Sequence, residues 1–303
     1  MDDRRAGLID GLIGVAFFSG SLVATRFAVT DFDPFFSTWA RAVGAAFLAS
    51  AALLVAPRPW PTGREFVALA VVSATVVIGF PVGSALALRE ITAARATLFI
   101  GLLPLFTASF AILRGIARPP HPAFWLFAAA GSAVVALYAL GGTLGGTWRG
   151  DGFILGAVVS AGLGYAEGAR LTARFGGWRV ISWAVVLALP LTLPLMLHDW
   201  PDWSRVGWPA IGGLAYTAAF SQWIGFLFWY RGLERGGVAA VGQLQLLQPF
   251  LGLILAAVLL GDTIDPRLAL STVLVVLCIF GARRFATPAR RPVIAEAIRD
   301  SAP

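Results

Sequence analysis

Lysine is missing from all 303 residues. A Walker-type phosphate loop and a Schiff-base catalyst both need one, so both are excluded. Cysteine occurs once, at Cys278, which rules out a disulfide within the chain and any CxxC chemistry. Set in an apolar run, Cys278 reads as a small buried hydrophobe. The 2 histidines, His121 and His198, lie far apart in apparent loops. They form neither an HExxH motif nor a His-rich metal site, and no metal or cofactor is expected. Charge is scarce as well: 13% of the residues, against about 25% in a soluble domain.

The composition is apolar instead, with 58% hydrophobic residues, 34 glycines, 11 tryptophans and a mean hydropathy of +0.80. This describes a polytopic membrane protein. Ten spans of about 20 residues would take about 200 positions and leave only short loops and tails. Apolar runs separated by charged or Pro/Gly-rich breaks predict ten spans, near 8–28, 35–56, 65–86, 94–113, 122–140, 152–171, 178–197, 206–230, 238–261 and 266–285. No small-residue cleavage site follows the first, which therefore reads as a retained span and not a signal peptide. The formal charge of +7 is not a nucleic-acid footprint, because the arginines are scattered among short loops. With the N-terminus inside, sixteen arginines fall in cytoplasmic segments, five in the opposite loops, and two, Arg26 and Arg41, within spans. That bias predicts cytoplasmic termini and a basic cytoplasmic tail over 286–303.

The chain repeats itself. Asp10-Gly11 followed by Ser19 recurs as Asp151-Gly152 followed by Ser160. The stretch ALREITAARATLFIGLLP (87–104) aligns without a gap on GLERGGVAAVGQLQLLQP (232–249). Trp39 answers Trp183, and Pro122 answers Pro266. Two units, 1–141 and 151–285, of five spans each are implied. An odd number of spans makes the second unit enter from the other side, so the repeat is inverted. That is the architecture in which one bundle rocks against another around a central site.

Several of these stretches carry a resemblance. The run FFSGSLVATRFA (17–28), Pro34 with Arg41 in the second span, and the two aligned stretches ending in LLP and LQP resemble the EamA-type branch of the drug/metabolite transporter superfamily. The resemblance covers nearly the whole chain. It implies an all-α membrane protein of ten transmembrane helices in two inverted five-helix repeats. It also implies an inner-membrane transporter similar to YddG-type exporters of aromatic amino acids, moving small amphipathic metabolites outward by alternating access. Other readings are an exporter of drugs or of another metabolite class, an intramembrane enzyme, or a channel. An enzyme needs paired acids or histidines within spans, which are missing. A channel needs rings of charge or carbonyls, usually from an oligomer, and the inverted repeat speaks against it. The expected partners are a small-molecule substrate such as an amino acid and the lipid bilayer, with a functional monomer and no nucleic acid.

A transport site needs polar groups near the midplane, where they are costly unless they face a cavity. Arg41 is a candidate partner for a substrate carboxylate, or a structural arginine bonded to helix-end carbonyls. Ser19, Ser21 and Thr25 in the first span and Tyr165 in the sixth are further candidates. In the ninth span Gln245 and Gln248 share a helical face, while Gln243 points nearly opposite. Pro249 follows at once and opens the backbone ladder. The eighth span carries one row with Tyr216, Phe220, Trp223 and Tyr230, and a second with Gln222, Phe226 and Trp229. Tyr216 and Trp223 of the first row are expected to line the substrate path. Gly79, Pro81 and Gly83 in the third span predict a kink able to act as a hinge, as Pro249 does in the ninth. Glu167 reads as the only acid within a span, at the cytoplasmic end of the sixth, and could reach water there. A stripe of Gly152, Gly156, Ser160, Gly164 and Gly168 reads as packing surface.

Overall fold

The computed structural model describes residues 3–55, 60–116, 121–140, 146–236 and 243–285. Among them the chain is helical throughout, as a bilayer demands of a backbone that cannot bond to water. Seven helices are long and apolar enough to cross a membrane, and three shorter apolar ones accompany them. In chain order they are α1 (Arg5–Asp31), α2 (Pro34–Val55), α3 (Gly63–Ala87), α4 (Ala93–Leu113), α5 (Pro122–Leu140), α6 (Trp148–Phe175), α7 (Gly177–His198), α8 (Trp208–Gly232), α9 (Gln248–Leu260) and α10 (Pro266–Arg284). His198 closes α7 and is not a loop residue. Residues 237–242, where the ninth span was expected to begin, lie outside the described ones. The helix there starts at Gln248, after a 3-10 turn over Gln243–Leu247.

Local signals explain the boundaries. Thr92 and Thr147 cap α4 and α6, their side chains accepting from the backbone N–H of Arg95 and Gly150. Thr62 and Glu65 form a capping box on α3. Gly261, at φ +71°, ends α9 in the left-handed conformation that glycine adopts without penalty.

The helices pair across the two halves. α1 packs along α8, and α6 along α3 and the Leu103–Leu113 part of α4; α2 pairs with α7, and α5 with α10. Small residues allow this closeness. Ala42, Ala45, Ala46 and Ala49 of α2 are fully buried, as are Ala184 and Val185 of α7. A Cβ on Gly14 would stand 2.9 Å from the backbone nitrogen of Trp229, so only glycine lets α1 and α8 meet there. Outside, Phe47, Leu54, Val55, Leu126, Leu137 and Val258 are mostly exposed, the apolar surface a bilayer would cover.

Two π-helical segments interrupt the α geometry, Ser73–Gly79 in α3 and Thr217–Ile224 in α8, at matching places of the two halves. The glycine stripe of α6 departs from expectation: Gly152 and Gly156 face open space, and only its later part packs, with Ser160 Oγ donating to the Thr75 carbonyl and Gly164 against Thr75 and Val76. Close approach is needed where α6 crosses the π segment of α3, where Gly83 of α3 meets Ala157, and where Gly162 meets Phe106 of α4.

Candidate functional site

Seven of the helices, α1, α2, α3, α4, α6, α8 and α9, surround a cavity of about 40 Å³. From α1 come Phe18, Ser19, Ser21 and Leu22. Two residues apart, Ser19 and Ser21 would face opposite ways on an unbroken helix. At Gly20, however, ψ is −10° and the N–H reaches the Ala16 carbonyl only at 3.4 Å, so the helix breaks and both serines reach the cavity. α2 contributes Arg41, α4 Thr97, α6 Tyr165, α8 Ser221, Gln222 and Phe226, and α9 Gln248 and Gly252.

A short polar chain runs through this wall. Arg41 Nη2 donates to Ser221 Oγ at 3.3 Å, and Ser221 Oγ donates to Ser21 Oγ at 2.7 Å. Arg41 is 3% exposed, and its Nε has no hydrogen-bond partner among the described residues. Gln222 Nε2 is in the same condition. No described carboxylate pairs with Arg41. A buried cation without a counter-ion is expensive, and in a membrane such residues face water or substrate.

Every other buried charge among the described residues is answered. Arg95 and Asp151 form a two-pronged pair, Nε–Oδ1 at 2.8 Å and Nη2–Oδ2 at 2.6 Å, with the guanidinium over the Tyr138 ring. Asp10 faces Arg231 at 3.2 Å and Arg235 at 3.5 Å. Glu167 is fully buried and pairs with Arg114 and, at 2.9 Å, Arg170. It therefore does not reach water as expected, nor is it the only acid within a span, since Asp10 and Asp151 lie in α1 and α6. Arg95 belongs to the first turn of α4. Arg26 donates to the Leu88 carbonyl, tying α1 to the end of α3.

Of the residues singled out from the sequence, Ser19, Ser21, Arg41, Tyr165 and Gln248 line this cavity together. Tyr216 and Trp223 do not. The Tyr216 hydroxyl donates to the Phe17 carbonyl at 3.0 Å beside Gly20, and Trp223 Nε1 donates to Ser182 Oγ at 2.9 Å. The other row of α8 supplies Gln222 and Phe226 instead. Rows drawn at 3.6 residues per turn slip across the wider π turns of Thr217–Ile224. Gln245 lies beside Gln248 against Ile100, Gly101 and Pro249, outside the central cavity. The 3-10 turn carries it there, and the side chain of Gln243 is outside the described ones. Gly79 and Gly83 serve close packing: a Cβ on Gly79 would strike Ser160 Oγ, and one on Gly83 would stand 2.9 Å from Ala157 Cβ. Pro81 sits in the first turn after the π segment, where a missing N–H costs least. Ser221 and Thr97 were overlooked, as isolated hydroxyls in apolar runs.

A second, mostly apolar pocket of about 260 Å³ adjoins, walled by Leu105, Phe124, Phe127, Cys278 and Ile279, with Thr107 and Gln245 also in its lining. Leu103 and Tyr165 line both spaces.

The profile of the EamA-like transporter family matches this chain twice, over residues 5–140 and 148–284. The chain belongs to the EamA-like transporter family. It is thus a multi-pass membrane transporter of the drug/metabolite transporter superfamily. It is 54% identical over 287 residues to the "Uncharacterized transporter YdeK" of Bacillus subtilis (strain 168), covering 94% of this chain and all of that one. An "Uncharacterized transporter" of Haemophilus influenzae is 31% identical over 113 residues, 36% of this chain and 66% of that one. A solved crystal structure, 20% identical, superposes with a TM-score of 0.64 over 93% of this chain and all of that one. At that identity the likeness bears on the fold alone.

Proposed function

We propose that this EamA transporter exports small amphipathic metabolites, amino acids with aromatic ones among them, across the inner membrane by alternating access. The carrying observation is Arg41, a buried guanidinium with no carboxylate partner at the centre of the bundle, surrounded by hydroxyls, amides and the rings of Phe18, Phe80 and Phe226. Such walls suit a zwitterion with an apolar side chain. They select weakly by size, since one methylene is worth about 1–3 kcal/mol, so several side chains are accepted.

The reciprocal pairing of α1 with α8 and of α6 with α3 supports an inverted repeat, as do the two matching π segments. Each π segment crosses a helix of the other half and is a natural place for sliding. The arginine bias supports cytoplasmic termini. No carboxylate lines the cavity, and Glu167 is engaged by two arginines outside it, so a proton gradient is not required for exchange.

The test is counterflow of labelled phenylalanine in proteoliposomes loaded with unlabelled amino acids, with and without an imposed pH gradient. Saturable exchange in both conditions is expected. Exchange confined to sugar phosphates or nucleotide sugars would overturn the substrate reading, and exchange that vanishes without the gradient would overturn the coupling reading.

A further inference from the structure

We infer that the group this carrier recognises is a carboxylate, held by Arg41 Nε and Gln222 Nε2, that an ammonium group is dispensable, and that the apolar part of the ligand lies beyond Leu103 and Tyr165. The carrier then takes amphipathic monocarboxylates that have no amino group. This rests on the transport reading above and extends its substrate class beyond amino acids.

Three observations converge. The first is the donor inventory. Ser19 donates to the Val15 carbonyl, Thr97 to the Ala93 carbonyl and Ser221 to Ser21 Oγ. Among the described residues, the fully buried donors of this cavity without a hydrogen-bond partner are Arg41 Nε and Gln222 Nε2, on neighbouring helices; the Tyr165 hydroxyl and the Gln248 amide also line it. A carboxylate accepts from both kinds and is the natural complement of a guanidinium edge.

The second is net charge. Among the described residues, the cavity is lined by one cation and no anion. A monocarboxylate brings the site to neutrality. A zwitterion leaves it at plus one, its ammonium offered only neutral oxygens, and an amine raises it to plus two. Net charge out of water is unfavourable, so the order of binding is monocarboxylate, then amino acid, then amine.

The third is volume. About 40 Å³ is room for about three waters, which suits a carboxylate and is too small for an aromatic side chain. The adjoining pocket of about 260 Å³ is mostly apolar and shares Leu103 and Tyr165 with the polar cavity. Head and tail of one amphipathic ligand find their matching walls in the two spaces.

The experiment compares 3-phenylpropionate, L-phenylalanine, 2-phenylethylamine and propionate on the purified full chain. Thermal stabilisation is read in detergent, and competition against labelled phenylalanine counterflow in proteoliposomes. Phenylpropionate is expected to stabilise and to compete at least as well as phenylalanine, with phenylethylamine and propionate at least tenfold weaker. Arg41→Met should abolish the stabilisation by phenylpropionate, and Gln222→Leu, which keeps the charge, should weaken it several-fold. Phenylethylamine binding better than phenylpropionate, stabilisation undiminished in both variants, or no response to phenylpropionate would each overturn the inference. If counterflow fails for every amino acid while the Arg41-dependent stabilisation persists, the amino-acid reading falls and the carboxylate site stands.

Discussion

Arg41 and Arg95 are equally buried, each 3% exposed, yet their surroundings differ in one respect. Arg95 meets Asp151 with two parallel bonds, backed by the Tyr138 ring. Arg41 meets one serine hydroxyl and, among the described residues, no acid. Burial alone thus says little about a membrane arginine; the presence or absence of its counter-ion says most. A compensated pair joins α4 to α6, whereas the uncompensated cation is the centre of the substrate site proposed above.

The largest expected effect separates the two sites by stability. Asp151→Ala strands Arg95 and should cost about 3–5 kcal/mol, read as a lowered unfolding temperature in detergent. The double change Arg95→Met with Asp151→Leu should recover most of it. An unaltered melting temperature in the single variant would show that the pair does not hold α4 to α6.

Next, Arg41→Met removes a buried charge that has no charged partner to orphan among the described residues. The variant should fold with stability unchanged or raised, while counterflow falls at least tenfold, about 1.4 kcal/mol or more. A stability loss as large as that of Asp151→Ala would make Arg41 structural.

A smaller difference is expected within α8. Gln222→Leu should weaken apparent substrate affinity about fivefold, near the 1 kcal/mol of one hydrogen bond. Trp223→Phe loses only the bond to Ser182, so it should lower stability by about 1 kcal/mol or less and leave transport intact. Reversal of these two outcomes would return the substrate path to the Tyr216–Trp223 row.

The smallest contrast lies at the start of α9. Gln248→Leu should impair exchange measurably, and Gln245→Leu less, because only Gln248 reaches the central cavity. Equal effects would mean that both amides meet the substrate.

From the sequence alone came the membrane class, the ten apolar segments and the two repeated halves, because a bilayer imposes length and apolarity on every span and a duplication leaves its pattern in the chain. The same reasoning found Ser19, Ser21, Arg41, Tyr165 and Gln248, since a polar side chain in an apolar run must face something other than lipid. What it faces is a long-range matter. Arg95 and Asp151 are 56 positions apart, and Arg41 and Ser221 are 180 apart; no local pattern states that the first arginine is answered by an acid and the second is not. Nor does a helical wheel foresee a π segment, which arises from backbone crossing under tertiary packing and turned Gln222 and Phe226 inward in place of Tyr216 and Trp223. Composition and periodicity determined which residues are costly in a membrane; only the packing of one half against the other decided which of those costs were cancelled by a neighbour and which were not.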